Sequence, residues 1–231
     1  MTKRLFIPVI FVVLALASCT LPKTYDAGIR KYQEKDYASA VELLQQAAAE
    51  SPGNDKMLSA LTDAKTGLAE EKVRSAENLP RYDLPGRISL LADAGSLDPG
   101  NARASQLLQE ANLERETILA EARQISGQAS ANPEDAWKSF TPLLPYREYM
   151  EGVASAYRTV ADSLAGKYNG MGYEALDGDH WGEAKSWFDR TLQAVPENPQ
   201  AQAGLKAIKT ARKAGRALIW KRRNSSYSAR Y

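Results

Sequence analysis

Apolar side chains recur every three or four positions along most of this chain, and that period predicts helices almost throughout. Around the first proline-bearing turn the stripe reads Ala40, Leu43, Leu44, Ala47, and near the last it reads Ala184, Phe188, Leu192. Spacing of i, i+4 places these residues on one helix face, as a buried stripe requires. No alternation of period two persists anywhere. The pattern predicts helices at 24–34, 37–50, 54–75, 86–97, 101–129, 133–143, 147–177, 181–194 and 198–222. A loop with two prolines is expected from Glu77 to Pro85, and Asn169-Gly170-Met171-Gly172 is expected to kink or split the helix that crosses it.

Turn residues punctuate this pattern at regular intervals. Pro52-Gly53-Asn54, Pro99-Gly100-Asn101 and Pro196-Glu197-Asn198 share a Pro-x-Asn motif, with prolines 47 and then 97 residues apart. Those spacings are close to one and two periods, and the missing member falls near Pro145. Proline ends or starts helices and asparagine is a good N-cap, so the motif marks turns between helix pairs. Segments 101–129 and 147–168 are rich in helix-forming Ala, Leu, Glu, Arg and Gln, which gives the longer period a home in elongated first helices.

On these residues the chain resembles the tetratricopeptide repeat family. The best match runs through Gly28, Tyr32, Asp36, Tyr37, Ala40, Leu44, Ala47 and Pro52, and a second through Gly172, Trp181, Ala184, Phe188 and Pro196. Between them the match is looser, with Arg87 at the alanine position but Leu91 and Ala94 on the stripe, and Ala136 and Phe140 near Pro145. The resemblance implies an all-α fold: an α-solenoid of about four antiparallel helix pairs over 24–222, with a terminal basic helix. It also implies peptide ligands on the face built from first helices, where Tyr25, Ile29, Tyr32 and Tyr173 match.

The amino-terminal segment departs from this pattern. Lys3 and Arg4 precede an apolar run from Leu5 to Ala17, broken only by Pro8, and Leu16-Ala17-Ser18 leads into Cys19, the only cysteine. That is the layout of an export signal, and the run is shorter than the ~20 residues a membrane span needs. Leu-Ala-Ser-Cys resembles the lipobox of bacterial lipoproteins. The resemblance implies a signal peptide at 1–18, lipidation of Cys19, and a tether at 19–23. With Thr20 rather than aspartate after the cysteine, it implies the outer membrane, facing the periplasm. Each buried methylene adds about 0.8 kcal/mol, so several acyl chains anchor essentially permanently.

Composition adds the charge distribution. The chain is 44% hydrophobic and 25% charged, ordinary for a folded protein. Up to Glu197 the residues after Cys19 hold 19 basic and 28 acidic side chains, whereas from Asn198 onward there are nine basic and none acidic. Lys206, Lys209, Arg212, Lys213, Arg216, Lys221, Arg222 and Arg223 lie around Leu205, Ile208, Leu218 and Ile219. Three roles remain open for this segment: a polar cap on the repeat array, a contact for an anionic surface, or pairing with the acidic remainder of the same or a neighbouring chain. Nucleic acid is excluded as a partner by export. Residues 223–231 are expected to be a disordered basic tail.

Catalytic chemistry has little to stand on. His180, the only histidine, sits in Asp177-Gly178-Asp179-His180-Trp181, where such residues serve a turn. Gly170-Met171-Gly172 lacks the strand and the Lys-Ser or Lys-Thr of a phosphate loop. Glu70-Glu71 and Glu134-Asp135 fall on helix surfaces or helix starts, and Asn224-Ser225-Ser226 matches a glycosylation sequon by chance. No enzyme, metal or cofactor is expected. Ten of the 19 aromatic residues lie between Trp137 and Phe188. Most belong to a core between long helices, while Trp187, off the stripe, is the candidate exposed anchor. The reading is a scaffold for an envelope protein or peptide; the alternative is a module for small ligands or glycans built on the 137–188 aromatics.

Overall fold

The structure, a computed structural model, describes residues 22–228, with side chains described as far as 214. Cys19 and the segment expected to be a signal peptide therefore lie outside the described residues. So do the side chains of Arg216, Lys221, Arg222 and Arg223.

The described residues are all-helical, with no strand among them. In chain order the helices are α1 (Lys23–Gln33), α2 (Tyr37–Glu50), α3 (Asp55–Asn78), α4 (Leu84–Leu97), α5 (Ala102–Gln128), α6 (Pro133–Phe140), α7 (Glu151–Asp177), α8 (Trp181–Ala194) and α9 (Pro199–Ser228), with a 3-10 helix at Thr141–Glu148. Neighbouring helices pack in pairs, most extensively α1 on α2 and α7 on α8. No helix among the described residues is long and apolar enough to cross a membrane.

Several boundaries differ from expectation, α3 running on to Asn78 rather than 75 and α7 starting at Glu151 rather than 147. Helix α4 starts at Leu84, with Pro85 in its first turn, where the missing N–H has no partner to lose. Asp83 caps that end, its Oδ1 accepting from the Gly86 N–H at 2.9 Å. Helix α6 stops at Phe140 and the chain tightens into a 3-10 helix across Pro142 and Pro145, which cannot donate to an α-helical ladder. Helix α7 runs unbroken from Glu151 to Asp177, so Gly170 and Gly172 do not split it. Helix α9 continues to Ser228, past its expected end at 222, and residues 223–228 contain no proline or glycine to stop it.

Two hairpins, α1–α2 and α7–α8, follow the same design at an offset of 144 residues, three of the sequence periods. Each first helix ends with a residue in the left-handed region, Lys35 at φ 62° and Asp179 at φ 60°. The next N–H reaches back five residues, from Asp36 to the Lys31 carbonyl (3.0 Å) and from His180 to Ala175 (2.8 Å). A second bond inside it joins Lys35 to Tyr32 and Asp179 to Leu176, completing a Schellman ending that satisfies the orphan carbonyls. Where the helices cross, glycine faces a large residue. A Cβ on Gly28 would lie 2.7 Å from Leu44, and one on Gly172 would lie 2.6 Å from the Phe188 ring. Ala40 and Ala184 are fully buried at the equivalent close approaches. The Asn of each Pro-x-Asn motif caps the following helix: Asn54 accepts from the Lys56 N–H, Asn101 from Ala104 and Asn198 from Ala201.

The helices form two compact units, residues 22–74 with 93–104, and 75–92 with 105–228. The expected repeat region, 24–222, spans both. In the first unit Leu44, Met57, Ala40, Ala47 and Ala64 make the core. The second has one cluster around Phe140, Leu84, Val153 and Val160, and another around Phe188, Ala184, Ala201 and Ile208. Each fully buried large side chain contributes about 1.5–3 kcal/mol.

Asp36 caps α2 by accepting from the Ser39 N–H at 3.3 Å. That bond and the Lys31 ammonium 3.3 Å away hold its carboxyl below the usual range, the Ser39 contacts most of all. A depressed pKa stabilises the fold above the unfolded-state value, and the contribution is lost as pH falls through the folded-state value. Asp36→Ala is expected to lower the thermal midpoint at neutral pH and to match the parent in strong acid. Equal deficits at both pH values would show that the charge has no part in the cap.

Candidate functional site

Helices α1 and α7 place the residues singled out for docking. Tyr32 is 37% exposed, and its ring stands edge-on to Tyr37 at 5.6 Å. Ile29 is half-buried against the first unit's core. Tyr25 corrects the expectation of a face residue: it is 6% exposed and packs in that core, with the Lys56 ammonium 5.4 Å from its ring centre. Its position, one turn before Gly28 on the side facing α2, turns the ring inward. Tyr173, in the second unit, is also 37% exposed. Its hydroxyl donates to the Gln200 carbonyl at 2.9 Å and its ring meets Phe188 edge-on at 5.1 Å. Each first helix of the matched hairpins thus carries one half-open tyrosine.

Trp187 is half-buried rather than open. Tyr168 lies 5.5 Å from it, the Arg190 guanidinium sits 4.6 Å over its ring, and its indole N–H points to Glu183. Beside this group Trp137, Leu164, Tyr168, Arg190, Gln193 and Ala194 line a cavity of about 340 Å³. Outside that lining, the Tyr157 ring lies 5.9 Å from Trp137 and carries the Arg147 guanidinium at 4.6 Å. The Tyr157 hydroxyl donates to the Ala194 carbonyl at 3.2 Å. Burial pushes the Tyr168 phenol above its ordinary value, helped by the Glu134 carboxylate. Tyr168 is therefore a neutral hydroxyl at physiological pH. This cavity offers stacking faces, a guanidinium and amide and phenol groups, a set suited to holding a polar molecule flat against a ring.

A buried polar tie joins α7 to the start of α9. Asn169, 3% exposed, donates from Nδ2 to Asn198 Oδ1 (3.1 Å) and Gln200 Oε1 (3.0 Å), while its own Oδ1 is buried without a partner. Its counterpart at the 144-residue offset is the core residue Tyr25. The pattern of apolar positions gave no sign of this group, because a single polar residue on a long helix reads as a surface position.

His180 lies exposed in its turn, Nδ1 4.0 Å from Glu183. Among the described residues, no three His, Cys, Asp or Glu side chains come together as metal ligands would. The terminal cations Lys209, Arg212 and Lys213 meet Lys185 of α8 around Leu205 and Ile208, where a second cavity of about 470 Å³ opens. Lys206 is exposed on the same helix. In sequence comparison no family model matches the chain, and no curated protein matches it either.

Proposed function

We propose that this chain is a lipid-anchored scaffold of the bacterial envelope, acylated at Cys19 and held at the outer membrane facing the periplasm. In this reading the helix pairs belong to a tetratricopeptide-like α-solenoid of about four antiparallel pairs, closed by the basic α9. It docks a protein or peptide during assembly, export or secretion and catalyses nothing. One observation carries the reading: two hairpins of the same geometry each leave a half-exposed tyrosine, Tyr32 and Tyr173, on the first helix. Tyrosine spends little conformational entropy and gives a large amphipathic contact, which suits a docking anchor. Tethering raises the effective concentration of partners at the membrane.

Crosslinked capture from intact envelopes tests it. The parent is expected to bring down a defined envelope protein, and Tyr32→Ala with Tyr173→Ala to weaken that capture about tenfold or more. Capture unchanged by both substitutions would overturn docking through these tyrosines. The same preparation tests the anchor, since an unprocessed product released without detergent would exclude acylation at Cys19.

The cavity lined by Trp137, Tyr168 and Arg190 favours a second reading, a module for small ligands or glycans. Cell-wall fragments would then quench or shift tryptophan fluorescence, and Trp137→Ala would abolish the change.

A further inference from the structure

The two matched hairpins differ where their covering helices pass. At the 144-residue offset, Lys185, Arg212 and Lys213 stand where the first unit has Val41, Leu68 and Ala69. Val41 and Ala69 are buried and Leu68 packs against the core, so the first unit is closed there by apolar contact. In the second unit the three cations are exposed instead, and with Lys209 they rim the 470 Å³ cavity floored by Leu205 and Ile208. Lys185 is paired with Asp189. Among the described residues no acidic side chain forms an ion pair with Lys209, Arg212 or Lys213, and none exists in the sequence after Glu197. An apolar floor inside a basic rim fits an apolar side chain flanked by carboxylates.

The same chain presents that complement. Leu113 on α5 is 65% exposed, the most open large apolar side chain described. Glu110 and Glu116, three residues before and after it, are both exposed. Spacing of three puts all three on one helix face, an apolar knob between two acids. Charge is split to match on the larger scale: residues 22–197 hold 19 basic and 28 acidic side chains, and residues 198–231 hold nine basic and no acidic ones.

We infer that this protein self-associates head to tail, Leu113 of one copy seated in the basic α8–α9 groove of the next. The inference goes beyond the docking role above and does not depend on it. The contact joins two different patches, so it leaves one groove and one knob open at the ends and propagates into an open chain unless a ring closes. A covered apolar anchor supplies the adhesion, and the charged rim sets specificity and salt dependence.

Sedimentation velocity on the full chain in non-ionic detergent provides the test. The parent is expected to associate reversibly, about tenfold more weakly in 0.5 M salt, where screening reaches a few ångströms. Arg212→Glu with Lys213→Glu should abolish association, and Glu110→Lys with Glu116→Lys should abolish it separately. All four residues are exposed, and circular dichroism confirms that each variant stays helical. Mixing the two charge-reversed proteins should restore association, because each groove then meets a knob of opposite sign. That recovery separates a specific contact from aggregation through the apolar amino terminus. A parent that stays monomeric at every concentration overturns the inference, and binding of that monomer to anionic vesicles through the groove would identify the occupant as lipid. Association that persists in Leu113→Asp overturns it as well.

Discussion

Phe188→Ala is expected to destabilise the second unit by about 3–5 kcal/mol, the upper range for a fully buried aromatic. The ring is 0% exposed and meets Tyr173 edge-on at 5.1 Å. It is held between two glycines: a Cβ on Gly172 would lie 2.6 Å from it and one on Gly204 2.3 Å. Neither helix has a side chain there to fall into the space, so α7 and α9 would have to shift as bodies to close it. A cavity persists, and its cost adds to the lost transfer energy. The converse also follows. Gly204→Ala is favoured by helix propensity by about 1 kcal/mol, yet it should destabilise, because the added carbon has no room against the ring. Combined with Phe188→Ala, the same substitution should cost less than the sum of the two, since it refills part of the void. All four tryptophans lie within residues 75–231, so their fluorescence in urea follows the second unit alone. A loss below about 1 kcal/mol for Phe188→Ala would mean that the α7–α8–α9 packing is wrong.

Asn169→Asp should cost about 2–4 kcal/mol at pH 7 and little at pH 4, where the introduced carboxyl is neutral. The site is 3% exposed, and the two groups facing Asn169 Nδ2 are the oxygens Asn198 Oδ1 and Gln200 Oε1. Asn198 Oδ1 is fixed as an acceptor because it also caps α9 through the Ala201 N–H at 3.0 Å. A carboxylate there would be desolvated and would face lone pairs, so its folded-state pKa rises above the unfolded value of about 3.9. Between those two values the folded form binds more protons than the unfolded one, so stability falls as pH rises. Protonated, the acid donates one bond to Asn198 and the penalty largely vanishes. The readout is the difference from the parent at each pH. A difference that does not change between pH 4 and pH 7 would place residue 169 in contact with water.

Both predictions rest on the second unit, and they divide what the sequence exposes from what it conceals. Gly172 and Phe188 were legible: they recur at the spacing of Gly28 and Leu44, and the repeat itself announces a crossing of helices. Gly204 was not, because the first hairpin has Ala60 at the position 144 residues earlier and no recurring glycine marks the approach. Asn169 was equally silent, since its partners Asn198 and Gln200 lie 29 and 31 residues downstream. The residues proposed for docking divide in the same way. Tyr32 and Tyr173 are half-exposed, whereas Tyr25, on the same helix as Tyr32, turns into the core.

Local chemistry decided nearly every helix and turn. A 3.6-residue apolar period, Pro-x-Asn punctuation and left-handed endings at Lys35 and Asp179 act over a few residues, so the linear chain contains all the information they need. Burial, cavity shape and charge juxtaposition are sums over helices far apart in sequence. The packing of α8 on α9 alone put Lys185 beside Arg212 and Lys213 over an apolar floor, and α7 against α9 alone made Asn169 a buried residue. Periodicity states which face of a helix is apolar; only the neighbour that covers the face determines which of its residues lose their water.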